Sequence, residues 1–589
     1  MTSGAIEAPP GTAALAGRAR LVSALGLVGP SGVAGALLAL SVPPFGLWPL
    51  GAVGLCVLYL RLARQGLGAR LVVGFCTAVA WLVPSLWFAT AFTGLGFLAM
   101  VLIESCFLTA GAALVPPGRG RALAFPGAVT LAEAGRDLWP FGGVPVGGLD
   151  LGQADGWLLP AGRLGGHLLI VGTLALAGVA LAEASLAILQ AIRGPAPTAA
   201  RRTPPRPSVP GSLVAGLTAA GVAAAAVVAG HLAPAGGPPH GTVRVAAVQG
   251  GGPLGLRKPQ GSAARVYVAQ LVQTDLLRRP VDLVVWPEDV IALRRPLVAS
   301  PVDAEMGDLA RSLGATLLAG VTEPVGTSQF RNFVGAWGPS GRLIGRYEKV
   351  HRVPFGEYIP LRGILRHLVN LTYVPRDAIA GHGVGLFATP AGPLGVAISY
   401  EVFFAQPARR AVAAGARLLV VPTNDASYAT DQLPSQEVAA DRLRAVEEGR
   451  ELVQVAPTGY STVVDRNGRV LARTALGPPA TLERAVPSFT GRTLYSRSGD
   501  WPEGGVAFGL VAAGLVLSWR GRHPEGAAEG TASDPWAPQA ERWSGGTAAP
   551  GIAREGDDQK AAEVRLSGVE RSTNTSRLKI TNLPTQTTA

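Results

Sequence analysis

Two polar side chains stand where apolar runs stop, and a lysine stands in a third motif. Glu288 closes DLVVWPE (282–288), Lys349 sits in RYEKVHRVPFGEYIP (346–360), and Ser399 opens the polar triplet of GVAISYEVFF (395–404). Pro287 stops the first run, so the Glu288 carboxylate projects at the edge of a sheet. A carboxylate that is partly desolvated there has a raised pKa and can act as a general base. Ser399 occupies the kind of strand end where α/β enzymes keep a nucleophile. The lysine is informative because lysine is scarce. Of 51 Lys plus Arg, only Lys258, Lys349, Lys560 and Lys579 are lysines. Arginine supplies general positive charge in this chain, so a lysine inside a structured motif is there as lysine. Its ammonium can lose a proton or act as a compact cation where a guanidinium cannot. Alone, Glu288 reads as a solvated strand terminus, whereas the scarcity of lysine weighs against Lys349 being a plain surface lysine at a strand end. Together with a hydroxyl at a third strand end they form a more specific set.

Such a set needs a sheet to hold it. Short β-branched runs recur between His240 and Arg497: VRVAAVQ, DLVVWPE, ATLLAGV, GVAISYE and RLLVVPTND. They are apolar on both faces, which predicts a sheet covered on both sides. Amphipathic stretches separate them, such as Glu437 to Leu452, with Ala, Leu and Val at helical spacing. Pro339–Gly341, Pro390–Gly392 and Arg466–Gly468 read as hairpin turns. The expectation is a soluble α/β domain.

Around it the composition is that of a membrane protein. The 589 residues are 48% hydrophobic and 15% charged, where globular chains carry about 25% charge. The net charge of +12 does not indicate nucleic acid. The basic residues fall in short clusters, with no continuous patch, zinc spacing or RNA-binding signature. Eight apolar segments run Leu21–Ser41, Leu47–Leu60, Leu71–Phe92, Gly94–Val115, Ala122–Leu138, Leu164–Ile192, Leu213–Leu232 and Gly504–Trp519. The second and eighth are short, and the fifth carries Glu133 and Arg136. Arginines cluster in every second loop, which fits eight spans with both termini in the cytoplasm. No cleavable signal peptide is evident. The expected organisation is an N-terminal membrane domain over 1–239 with about seven spans, a catalytic-type domain over 240–497 outside the cytoplasm, and a C-terminal transmembrane helix over 498–520. The segment 521–589 reads as a disordered cytoplasmic tail, and Arg193 to Pro210, rich in Pro and Arg, as a flexible loop on the same side. Cys56, Cys76 and Cys106 all lie in apolar segments and suggest neither a disulfide framework nor a metal site.

The motifs WPE, YEKVHRVPFGEYIP and SYEVFF resemble the Glu-Lys-Cys nitrilase, or carbon-nitrogen hydrolase, superfamily. The membrane segments narrow the resemblance to the apolipoprotein N-acyltransferase family. PPFGLWPL (43–50) looks like that family's first outside loop, and TNDAS (423–427), RLRAVEEGR (442–450) and YSRSGDWP (495–502) look like later blocks. The resemblance runs from about Leu21 to Trp519. It implies a nitrilase-like α/β sandwich carried by about eight helical spans in the plasma (inner) membrane, and transfer of an acyl chain from a phospholipid to the α-amine of the N-terminal diacylglyceryl-cysteine of lipoproteins. By resemblance, Glu288 is the general base, Lys349 stabilises the tetrahedral oxyanion, Glu357 and Glu401 are supporting carboxylates, and Tyr400 positions the site. No cofactor or metal is implied. The family has Cys where this chain has Ser399, usually Trp where Ser427 stands, and His where Glu437 stands. These departures leave two further readings. One is a catalytically silent paralogue that binds lipid or lipoprotein, or supports a partner acyltransferase or glycosyltransferase. The other is a membrane-tethered nitrilase-type amidase.

Overall fold

The computed structural model describes residues 12–91, 93–193, 211–252, 262–278, 280–367, 371, 374–426 and 430–522. The tail from 523 onward, most of the loop between Arg193 and Pro210, and Ser427 lie outside these residues. Each of the eight apolar segments contains a helix. Seven come first: α1 (Thr12–Ser41), α2 (Pro49–Leu62), α3 (Leu67–Ser85), α4 (Gly94–Leu114), α5 (Arg121–Arg136), α6 (Gly162–Arg193) and α7 (Gly211–Leu232). The eighth is the last helix, Trp501–Arg522. Among the described residues, α3, α4, α6, α7 and this last helix are long and apolar enough to cross a membrane. The 14 residues of α2 reach only about 21 Å at 1.5 Å per residue.

The charges inside α5 have partners. Arg136 pairs with Glu104 of α4 at 2.9 Å and with Glu133 at 3.1 Å. It also donates to the carbonyls of Val144 and Val146 at 3.1 and 2.8 Å. A buried arginine is tolerated when its donors are satisfied, and here those donors fix the loop after α5.

The remainder is two packed sheets. The strands of the first are β1 (Pro239–Gln249), β2 (Leu283–Val285), β3 (Ile291–Ala292), β4 (Thr316–Val325), β5 (Gln329–Trp337), β6 (Leu343–Glu348) and β7 (Asp377–Ala378). Those of the second are β8 (Leu386–Thr389), β9 (Gly392–Val396), β10 (Leu418–Pro422), β11 (Leu452–Val455), β12 (Thr462–Val464) and β13 (Val470–Arg473). β14 (Ala480–Phe489) returns to the first. The first sheet runs β14-β1-β2-β4-β5-β6, with β3 on β4 and β7 on β5, and the second runs β13-β12-β11-β10-β9-β8. β2 is parallel to both β1 and β4, and β10 to both β9 and β11. The three expected turns join β5 to β6, β8 to β9 and β12 to β13, each an antiparallel hairpin.

Helices α8 (Ser262–Asp275) and α9 (Pro301–Leu313) cover the outer face of the first sheet, followed along the chain by a single turn, α10 (Arg362–Leu365). Helices α11 (Ala405–Ala413) and α12 (Gln432–Glu448) follow in the second half, and α13 (Leu494–Ser498) leads into α14 (Trp501–Arg522). Alternation along the strands explains the continuous apolar runs. Ala246, Val248 and Val284 face α8 and α9, whereas Val245, Ala247, Leu283 and Val285 face the second sheet. The outer face of the second sheet, with Leu419, Val421, Leu443 and Val446, shares one continuous core with Leu38, Trp81, Phe125 and Val171 of the N-terminal helices. The α/β portion is therefore packed onto the helical bundle through α11 and α12.

Two elements differ from the sequence reading. β2 ends at Val285, so Glu288 lies three residues beyond the paired strand. The helix expected over Glu437 to Leu452 runs instead from Gln432 to Glu448, stopped at Gly449 so that Leu452 opens β11, and it is buried nearly all round rather than on one face. It is caught between the second sheet and the bundle, so its polar residues become interior hydrogen-bonding groups.

Candidate active site

Glu288, Lys349, Ser399 and Thr423 all follow the C-terminal ends of strands, β2, β6, β9 and β10 respectively. In open α/β sheets that end is where ligands bind. Here two such sheets stack face to face and bring their strand ends together.

Glu288 is buried, at 3% exposure. Its backbone N–H donates to the Thr423 carbonyl at 3.2 Å, which ties the end of β2 to the end of β10. Gly320 of β4 makes this approach possible, because a Cβ there would lie 2.5 Å from both Glu288 Cα and the Pro287 carbonyl oxygen. Glu288 Oε1 accepts from Lys349 Nζ at 2.8 Å and from Asn332 Nδ2 at 2.7 Å. Lys349 Nζ also donates to Glu357 Oε1 at 2.6 Å. The Glu357 carboxylate is held in turn by the Val353 N–H at 3.1 Å.

Lys349 is 1% exposed. Burial alone pulls its pKa down, but the carboxylates of Glu288 and Glu357 more than reverse this and hold it above the ordinary lysine value. It stays an ammonium. Burial raises the Glu357 pKa, with Lys349 opposing and Glu288 adding. The three groups form a fixed cation between two carboxylates.

Ser399 begins a short 3₁₀ turn, Ser399–Phe403, at the end of β9. Its φ of +49° is in the left-handed region, a conformation that non-glycine residues hold only when the surroundings enforce it. The enforcing group is Glu401. Fully buried, it accepts from Ile398 N–H at 2.8 Å, Val350 N–H at 2.7 Å, His351 N–H at 3.1 Å and the Tyr347 hydroxyl at 3.1 Å. Glu401 therefore braces the Ser399 turn against the Lys349 turn. Tyr400 reaches the helical bundle. Its hydroxyl donates to the Gly143 carbonyl at 3.0 Å, in the loop that Arg136 fixes.

The structure adds residues that the sequence reading did not place. Asn332 of β5 holds both Glu288 and, through its carbonyl, the Lys349 N–H at 2.9 Å. Glu437 of α12 accepts from Ser399 Oγ at 3.5 Å and from Thr423 Oγ1 at 2.9 and 3.0 Å. Asp425 lies beside them, with Thr423 Oγ1 3.4 Å from its Oδ1. Thr423 and Asp425 end an apolar run as Glu288 does, and that same signal was available for them. On the bundle side of α12, Gln436 donates to the carbonyls of Pro43 and Ser85 and accepts from Gly147 N–H. The three cysteines are remote in sequence and element: Cys56 in α2, Cys76 in α3 and Cys106 in α4.

A buried carboxylate, an ammonium and a hydroxyl on a strained turn thus meet at the ends of two paired sheets, the arrangement of a carbon-nitrogen hydrolase-type fold. A family model described as carbon-nitrogen hydrolase matches residues 244–526, and one described as apolipoprotein N-acyltransferase N-terminal domain matches 34–191. Relatives named apolipoprotein N-acyltransferase include that of Azotobacter vinelandii, 31% identical over 85% of this chain and 96% of that protein. That of Mycolicibacterium smegmatis is 30% identical over 82% of this chain and 83% of that protein. That of Methylococcus capsulatus is 32% identical over 49% of this chain and 56% of that protein. The chain belongs to the apolipoprotein N-acyltransferase family.

Proposed function

We propose that this protein is an N-acyltransferase of the inner membrane that moves an acyl chain from a phospholipid to the α-amine of a lipoprotein's N-terminal diacylglyceryl-cysteine, by way of an ester on Ser399. The observation that carries the reading is the Lys349 ammonium, buried between Glu288 and Glu357 beside the Ser399 turn. In the first half-reaction the Ser399 hydroxyl attacks the phospholipid ester, Lys349 meets the oxyanion, and the lysophospholipid leaves carrying the proton that Ser399 gave up. In the second, the amine attacks the Ser399 ester, Glu288 takes the amine proton, and Ser399 leaves with a proton restored. A tetrahedral oxyanion forms in both, which is why a permanently charged and immobile cation is useful. In cells lacking the gene, mass spectrometry of lipoprotein N-termini should show the free amine where wild type carries the extra acyl chain. Unchanged N-termini would favour the silent-paralogue reading, which the serine at position 399 also supports.

The domain plan proposed is a membrane part over 1–239, the catalytic domain over 240–497, a last span over 498–520 and a cytoplasmic tail over 521–589. Eight spans, with both termini inside and 240–497 outside, are supported by the helices found at all eight apolar segments and by the alternation of basic loops. Reporter fusions after Arg70 and Arg206 should read as cytoplasmic, and one after Gly241 as exterior. A cytoplasmic signal from the last would overturn the orientation.

A further inference from the structure

We propose that Glu437 of α12 is a second catalytic carboxylate, which takes the proton of Ser399 when that hydroxyl attacks the acyl donor and leaves Glu288 to serve the incoming amine. This deepens the proposed function and rests on Ser399 being the acyl carrier.

Several observations converge on it. Glu437 is the carboxylate that the Ser399 hydroxyl reaches, at 3.5 Å. The distance is long for a hydrogen bond, as catalytic pairs commonly are before substrate tightens them. Glu288, by contrast, spends its Oε1 on Lys349 and Asn332. Glu437 is 1% exposed and rigidly held, because Thr423 Oγ1 donates to it. Beside it, Asp425 is 3% exposed and its Oδ2 has no hydrogen-bond partner. Two buried carboxyl groups in contact retain one proton between them.

The groups facing Glu437 give it a consistent charge state. They are Ser399, Thr423 and Asp425 from the strand ends, and Asp441 one turn along α12. Glu401, on the Ser399 turn, is spent on the 350, 351 and 398 amides. Arg444 and Glu447, with His167 and Asp150, form a separate cluster at the far end of α12. No cation is paired with Glu437 among the described residues. Burial, followed by the Asp425 charge, raises the Glu437 pKa well above the ordinary carboxylate value, and Asp425 itself is pushed up to about 6, first by burial. A base with a raised pKa is matched to a hydroxyl that must lose its proton during attack.

The step balances without a further reagent. Ser399 Oγ bonds to the ester carbonyl carbon while its proton passes to Glu437. The carbon–oxygen bond to the glycerol then breaks, and Glu437 returns the proton to the departing oxygen.

The test uses the full-length protein in detergent and p-nitrophenyl butyrate, with acylation of Ser399 followed by mass spectrometry and by nitrophenolate release. The wild-type rate should rise with pH as the shared proton is lost. Glu437→Gln should lower it about 10²-fold, the low end for a positioned base, and flatten the profile. In a Ser399→Cys background the same change should cost less than about fivefold, because a thiol depends far less on its base. Glu437→Asp should keep the pH limb at a lower rate, and it supplies the reading if the Gln variant does not fold. Equal losses in the Ser and Cys backgrounds, or an unchanged profile in Glu437→Gln, would assign Glu437 a structural role and overturn the proposal. Wild-type protein that is acylated in this Glu437-dependent way, yet passes no acyl group to a lipopeptide amine, would retain this inference and lose the proposed function. No acylation of Ser399 at any pH would overturn both.

Discussion

Lys349→Arg lowers acyl transfer by on the order of 10²-fold or more, the scale of losing one preorganised oxyanion-stabilising group. The charge is kept, so the loss has a geometric origin. Lys349 Nζ sits 2.8 Å from Glu288 and 2.6 Å from Glu357 in a site that leaves the side chain 1% exposed. A guanidinium is planar, wider and longer, and it prefers to grip a carboxylate through two parallel hydrogen bonds. In this space it either fastens onto one carboxylate or displaces the chain around Asn332, and in both cases the positive charge leaves the point where the oxyanion forms. Overpacking of this kind also costs about 1–3 kcal/mol, so the melting temperature should fall modestly. Lys349→Met should be far less stable, by about 3–5 kcal/mol, because two buried carboxylates lose their counter-ion. Lys258→Arg is the control. It lies outside the described residues, in the Gly- and Pro-rich stretch GGPLGLRKPQ, and should be neutral in both assays. Acyl-transfer rates and melts of the variants, compared side by side, decide the matter. A Lys349→Arg enzyme at near wild-type rate would remove Lys349 from the oxyanion role.

How much of this site the sequence disclosed depends on how local each signal is. Glu288 and Ser399 were legible because each ends an apolar run, and Lys349 because lysine is scarce in a chain that uses arginine for general charge. The three hairpins were legible because Gly341, Gly392 and Gly468 take the positive φ their turns require. The helices were legible because apolar length alone suffices in a membrane. What stayed hidden depends on which strand ends meet. Asn332 follows Arg331 in β5, ends no apolar run, and becomes part of the site only because β5 lies beside β6. Glu437 is 38 residues from Ser399 and on another element. It marked itself in the sequence only as a departure from a resemblance, and its contact with the hydroxyl appears only once α12 is placed across β9 and β10. Tyr400 was expected to position the site, and its hydroxyl is bonded to the loop after α5. That link requires the α/β portion and the bundle to share one core, a property of the assembled chain that no single segment encodes. Gln432 and Gln436 make the same point. They look like the polar face of an amphipathic helix, and they are buried donors to the carbonyls of Pro43, just past α1, and of Pro84 and Ser85, which end α3.

Ser399→Cys is expected to raise N-acyl transfer by about tenfold or more, or to create it from an immeasurable background. A thiol has a pKa near 8.5 and is already a few per cent thiolate at neutral pH, whereas a hydroxyl must be deprotonated almost entirely by its base during attack. The acylated intermediate changes as well, from an oxygen ester to a thioester, which gives up its acyl group more readily to an amine. The backbone is already set for either atom, since the left-handed φ of Ser399 and its brace by Glu401 belong to the main chain. The local charge limits the gain. Asp425 and Glu437 are buried carboxyl groups beside the nucleophile, and a negative neighbour disfavours a thiolate. Ser399→Cys combined with Glu437→His should therefore exceed Ser399→Cys alone, because an imidazole removes that repulsion and can pair with the thiolate. Ser399→Ala should abolish transfer entirely. The measurement is acyl transfer from phospholipid to a diacylglyceryl lipopeptide by purified protein, with the acylated intermediate trapped and its mass shift mapped to position 399. Activity that persists in Ser399→Ala would show that the acyl chain never rests on this residue. An inert Ser399→Cys protein with a normal melt would show that the carboxylates around the turn, rather than the missing sulfur, keep this site silent.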